Sequence, residues 1–160
     1  MVDLEQRSWR VPPSRLLHLQ FRRFAGCPIC NLHLASVAHR IDEIEARGIQ
    51  EVVVFRSSRA ALQAHQGSLP FPIVPDPEHV LCRAFGVKNS MWSMASPKAW
   101  RAAALGISFA TVAGAPESVD AALGQPADFL IDPSGRIIAC HYGRHASDQW
   151  SVDDLLAQVP

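Results

Sequence analysis

Glu51-Val52-Val53-Val54-Phe55 is a near-continuous β-branched run. A strand of that kind is buried on both faces, the situation of a parallel strand with helices packed above and below. Helical patterns flank it on both sides. From Pro28 to Arg47, Leu34, Val37, Ala38, Ile41 and Ile44 recur at helical spacing, with Gly48 as the stop. After the strand, Ser58 is placed to cap a short helix through His65. A buried parallel strand between two helices commits the chain to the α/β class.

The remaining elements follow the same logic. Arg15 to Phe21 alternates as a strand, Phe71 to Pro75 as a brief one, and residues 1–14 with Pro12-Pro13 form an extended or poorly ordered arm. Asp76-Pro77-Glu78 supplies an N-cap, a proline at the first helical position and a favourable acid for a helix running to Gly86. Residues 87–124 break the alternation; Ser96-Pro97 opens a helix through Leu105, among Met91, Trp92, Met94 and Trp100. A strand entered through Pro126 ends at Asp132-Pro133-Ser134-Gly135, so Arg136 to Tyr142 should return as its antiparallel partner. Ser151 with Asp153 and Asp154 caps a last helix ending near Val159. The expectation is an arm over 1–14 and one α/β domain over 15–160, with an insert at about 87–124.

Fifteen basic residues balance fifteen acidic ones, so no global field recruits nucleic acid or an anionic membrane. No stretch is apolar for the length that a membrane span requires. The N-terminus lacks the apolar core of a signal peptide. Four cysteines in such a chain read as catalytic or buried thiols rather than a disulfide framework, which suggests a cytoplasmic protein, reduced at rest.

Two of those cysteines lie in Cys27-Pro28-Ile29-Cys30, between an apolar stretch and the start of the long helical pattern. A sulfur at a helix N-terminus meets the positive end of the dipole and unpaired N–H groups, both of which favour thiolate. Pro28 suits the first helical position. Cys30 lies one turn in, close enough to Cys27 to close a small disulfide ring. Cys27, partly exposed with a lowered pKa, would attack, and Cys30 would resolve the mixed intermediate. Arg22-Arg23 beside the pair is a local cationic cluster able to steer anions or thiolates.

Three features resemble the thioredoxin-fold superfamily, and within it the peroxiredoxin-like (AhpC/TSA-related) branch, over roughly residues 15–158. They are Cys27-Pro28-Ile29-Cys30 at a strand-to-helix junction, Val74-Pro75-Asp76-Pro77 leading into a helix that ends Phe85-Gly86-Val87, and Gln125-Pro126 before Phe129-Leu130-Ile131-Asp132-Pro133-Ser134-Gly135-Arg136. The resemblance implies a thioredoxin-like α/β fold, a central mixed β-sheet flanked by helices, with the Trp/Met-containing insert before the C-terminal β-hairpin. It implies a cis-proline opposite the active cysteines at Pro126, so that Gln125, Pro126 and Pro28 line the substrate position. Two departures stand out. Cys27 and Arg23 occupy positions where peroxiredoxins resemble a Thr or Ser and a Pro, and Pro126 stands where they carry an arginine. Relative to thioredoxins, Gly26 replaces a Trp and Phe21 a buried Asp.

The expected activity is therefore that of a thiol–disulfide oxidoreductase of peroxiredoxin-like type cycling Cys27–Cys30. Alternatives are a thiol-dependent peroxidase with an antioxidant role, and a non-enzymatic redox-sensing or binding module. No organic cofactor or metal is implied; an external dithiol protein or low-molecular-weight thiol is the reductant and a disulfide or hydroperoxide the substrate. His33 and His39 read as polar-face residues of the first helix, and no second C-x-x-C completes a zinc set. Cys82 is either a distant resolving cysteine or, more in keeping with its apolar neighbours, a small buried hydrophobe. Cys140 reads as core, and His141, His145 and Asp148 as a solvated loop or a proton relay. The Trp/Met insert fits a substrate lid, a homodimer interface or plain packing over the sheet.

Overall fold

The structure, a computed structural model, describes residues 1–8, 13–90 and 116–159. Its elements are β1 (Leu16–Arg22), α1 (Pro28–His39), α2 (Ile41–Ala46), β2 (Ile49–Phe55), α3 (Arg59–His65), β3 (Ile73–Pro75), α4 (Val80–Ala84), α5 (Val119–Leu123), β4 (Ala127–Ile131), β5 (Ile137–Tyr142) and α6 (Val152–Ala157). They form a five-stranded mixed sheet of order β3-β2-β1-β4-β5. β1 and β3 flank β2 in parallel, while β4 is antiparallel to both β1 and β5.

The valine run does sit inside the sheet, and its alternate side chains serve two cores. Val53 and Phe55 join Leu34 and Val37 of α1, Ile44 of α2, Leu62 of α3 and Leu155 of α6. Val52 and Val54 join Leu17, Leu19, Phe21, Phe129 and Cys82 on the opposite face. There Phe21, Phe85, Phe129 and Tyr142 meet ring to ring, with centroids 5.1–5.6 Å apart. The hairpin forms as its turn chemistry requires. Asp132 accepts from the backbone N–H of Ser134 and Arg136, and Gly135 takes a left-handed φ of 86°.

Several boundaries differ from the sequence expectation. The single helix over 28–47 is broken at Arg40, which leaves helical geometry (φ −112°, ψ 22°) while its guanidinium holds Glu43 and Asp153. The helix expected from Asp76 begins only at Val80. His79 adopts φ 56°, and the Asp76 carboxylate reaches past the turn to accept from the N–H of Leu81 and Cys82. Within the N-terminal arm Asp3 is buried, accepting from the N–H groups of Glu5 and Arg7, and the Leu4 N–H donates to Ile73 O.

The expected helix from Ser96 and the residues Met91, Trp92, Met94 and Trp100 lie outside the described residues. The chain on either side of them is joined. Ser90 N–H donates to Leu123 O, Gln125 N–H to Lys88 O, and buried Arg56 binds Asn89 and the carbonyls of Val87 and Lys88. Gly124 permits this junction, because a Cβ there would lie 2.8 Å from Arg56 Nε.

Candidate active site

β1 ends at Arg22, and residues 23–27 carry the chain onto α1. Backbone and side-chain bonds tie this turn to the end of β2: Arg56 N–H donates to Arg23 O and Ala25 N–H to Ser57 Oγ. Cys27 takes the N-cap position in extended backbone, Pro28 begins the helix, and Asn31 N–H donates to Cys27 O. The two sulfurs thus meet at the helix N-terminus, both as free thiols. The expectation of a partly exposed Cys27 does not hold. It is 1% exposed and Cys30 0%, because Phe24 and Ala25 of the same turn fold into the core beside them.

The two thiols are electrostatically unequal. The Cys30 S–H donates to Cys27, the Arg23 guanidinium adds positive charge, and the N–H groups of Cys30 and Ile29 point at the sulfur. Together these outweigh burial and lower the Cys27 pKa to about 6. Donating that proton, and being buried, pushes the Cys30 thiol well above its ordinary value. Arg23 Nη1 lies 3.9 Å from Cys27 Sγ, and its Nε and Nη2 donate to Ala122 O in α5. One thiolate beside one thiol is the distribution that an attacking and a resolving cysteine need.

The other expected site residues are placed as follows. Pro28 is exposed at the start of α1. Gln125 is half-buried, and Pro126 is buried between α5 and β4, its carbonyl accepting from Gly143 N–H. Cys82 lies in the core on the far face of the sheet from Cys27 and Cys30, with burial pushing its pKa up to about 12. Cys140 is not core but exposed, since β5 is the edge strand. His141 is no loop residue. It belongs to β5, hydrogen-bonds Asp148 at 3.0 Å and stacks on Trp150. Among the described residues no group of three or more His, Cys, Asp or Glu is arranged to hold a metal ion.

Sequence reasoning missed a buried polar network beneath α1. His18, Gln20 and Arg22 are the polar half of the β1 alternation and would ordinarily face solvent, yet all are at most 1% exposed. His18 Nδ1 lies 2.9 Å from both Glu51 carboxylate oxygens, and its Nε2 lies 3.3 Å from Asp128 Oδ1. Arg22 Nη2 donates to Asp128 Oδ1 at 2.7 Å and to Gln20 Oε1, while Gln20 Nε2 donates to Glu51. Burial opposes charge on His18, but the two carboxylates prevail and raise its pKa to about 9. His33, expected on the polar face of α1, instead meets Arg22 Nη2 at 3.0 Å. Burial, then the Arg22 charge, lowers its pKa to about 3. The available signal was a set of polar residues facing one another on strands that pair, His18 with Glu51 in register and Gln20 with Asp128.

A thioredoxin-type sheet with a cysteine pair at the start of its first helix is the frame of a cysteine-based oxidoreductase. Residues 15–140 match the AhpC/TSA family, and the chain belongs to it. It is thus a peroxiredoxin-like enzyme, a thiol-dependent peroxidase or thiol oxidoreductase; such proteins generally need no prosthetic group. No curated protein matches the chain. Among solved structures it is similar to the peroxidoxin BcpB from Mycobacterium tuberculosis, with TM-score 0.69 at 15% identity over 99% of this chain and 88% of that one. It is also similar to a cysteine-to-serine mutant of Xanthomonas campestris peroxiredoxin Q, with TM-score 0.58 at 22% identity over 86% and 74%. The reduced Plasmodium vivax 2-Cys peroxiredoxin has TM-score 0.62 at 12% identity over 89% and 62%. Among the described residues no helix is long and apolar enough to cross a membrane.

Proposed function

We propose that the protein reduces hydroperoxides with Cys27 as the attacking thiolate and Cys30 as the resolving thiol. The observation that carries this reading is Cys27 Sγ at the N-terminus of α1, 3.9 Å from Arg23 Nη1, with its pKa lowered to about 6. At pH 7 a thiol of pKa about 6 is about nine-tenths ionised, against about 1% at the ordinary value of 9.0. Arg23 supplies, from the turn before α1, the cation whose family position is taken by Pro126. In the first step the thiolate attacks the distal peroxide oxygen; an S–O bond forms, the O–O bond breaks, and the alkoxide takes a proton from solvent. The Cys30 sulfur then attacks Cys27 Sγ. An S–S bond forms, the S–O bond breaks, and the departing hydroxide leaves as water with the Cys30 proton. An external dithiol returns two electrons and two protons to the pair.

A small disulfide as the oxidant is the second reading, favoured by the Cys27–Cys30 pairing, which resolves a mixed disulfide by the same attack on Cys27 Sγ. Gln125, Pro126 and Pro28 are proposed to line the approach to the sulfurs. Four free cysteines fit a cytoplasmic, reducing setting and an antioxidant role. Stopped-flow thiol loss on the reduced protein tests the choice. Peroxide reacting far faster than with a free thiolate supports the first reading, and slow peroxide with rapid disulfide exchange replaces it with the second. A Cys27→Ser protein that keeps full activity would sink both.

A further inference from the structure

We propose that His33 and Asp128 are positioning residues for the Cys27–Cys30 pair: through Arg22 they clamp the first turns of α1 to the end of β1. This inference rests on Cys27 being the attacking thiolate. Arg22 is completely buried and is held on several sides, by Asp128 Oδ1, Gln20 Oε1, Phe21 O and Ala127 O. Asp128 is itself fixed by the Trp150 N–H and by His18, which Glu51 holds from the other side. What reaches α1 from this assembly is Arg22 Nη2, 3.0 Å from His33 Nε2. A guanidinium can only donate, so His33 Nε2 is the acceptor and its proton sits on Nδ1.

The location gives the clamp its consequence. His33 follows Cys30 by one helical turn, and Arg22 precedes Arg23, whose guanidinium meets Cys27. Both ends of the 23–27 turn are therefore anchored to the same buried group. The distances that make Cys27 a thiolate, to Cys30 and to Arg23, depend on that turn keeping its shape. A loosened α1 lengthens both, and Coulomb and hydrogen-bond terms fall steeply with distance.

The test is ultraviolet titration of the thiolate in the reduced protein, with peroxide rate constants across pH. His33→Leu removes the acceptor; His33→Gln keeps one. The expected result is an upward move of the Cys27 midpoint by about one pH unit in His33→Leu, equivalent to about a fivefold loss of thiolate and of rate at pH 6. His33→Gln should stay within about twofold of the parent. A folded His33→Leu protein with the parent midpoint, or a Gln variant as impaired as the Leu variant, overturns the proposal. If His33→Leu does not fold, nitrogen-15 NMR of the unsubstituted protein decides. The clamp requires the neutral Nδ1–H tautomer and an Nε2 signal that shifts when the cysteines are oxidised, and either being absent overturns it. A Cys27→Ser control separates the two levels. If no low-pH thiolate signal is lost with it, the assignment of the nucleophile fails; if the signal is lost yet insensitive to His33, only the clamp fails.

Discussion

Two buried groups give this protein opposite stability slopes over the same pH range, and removing one should unmask the other. Cys27 titrates near 6 in the folded protein against an ordinary value of 9.0. Between those values the unfolded chain holds a proton that the native state does not, so folding gains stability as pH rises. His18 titrates near 9 against 6.5. Its contribution is fully present below pH 6.5 and is lost as pH rises toward 9. Over pH 6.5 to 9 each effect amounts to about 3 kcal/mol at roughly 1.4 kcal/mol per pH unit, with opposite signs. The reduced parent should accordingly show a nearly flat stability across this range. A Cys27→Ser protein should lose about 3 kcal/mol between pH 6.5 and 9, because only His18 still titrates. The window is bounded for a reason. Below it His33, held near 3, adds its own loss, and above it the raised thiols of Cys30 and Cys82 begin to count. Urea unfolding under reducing conditions at four pH values, followed by far-ultraviolet circular dichroism, reads the slope directly. A Cys27→Ser protein whose stability stays level or rises toward pH 9 would rule out a protonated His18 between Glu51 and Asp128.

Further outcomes follow from single contacts. Arg23→Met removes the guanidinium 3.9 Å from Cys27 Sγ. It should raise the thiolate midpoint by about one pH unit and cut the peroxide rate at pH 6 about fivefold, leaving the hydrogen bond from Cys30 in place. Cys30→Ser should react once with a small disulfide and stop, and intact-mass spectrometry should find the adduct on Cys27. An adduct found only on Cys30 in the complementary Cys27→Ser protein would reverse the two roles. Gly143→Ala places a Cβ against the Asp148 backbone oxygen and 2.7 Å from Pro126 Cγ. It should destabilise the fold by about 1–3 kcal/mol in urea titration, and an unchanged midpoint would count against the close packing of Pro126.

The sheet and the place of Cys27 at the start of α1 are both legible in the order of residues alone. The valine run can only be a doubly buried strand. Asp132 to Gly135 can hardly be anything but a hairpin turn, and Ser151 with Asp154 forms the capping box that opens α6. These are local preferences, set by backbone sterics and side chains a few residues apart, so they survive without knowledge of the fold. The position of Cys27-Pro28-Ile29-Cys30 was legible for the same reason, because Pro28 suits the first helical position wherever that helix packs. Other features depend on residues far apart along the chain and emerge only when it is folded. His18, Gln20 and Arg22 look like a solvent face until β2 and β4 bring Glu51 and Asp128 beside them and α1 closes over the top. The edge position of β5 exposes Cys140, and the sheet itself separates Cys82 from Cys27 and Cys30. Charge pairing across strands and the covering of one face by a helix are properties of the assembled sheet, and no periodicity along the chain encodes them.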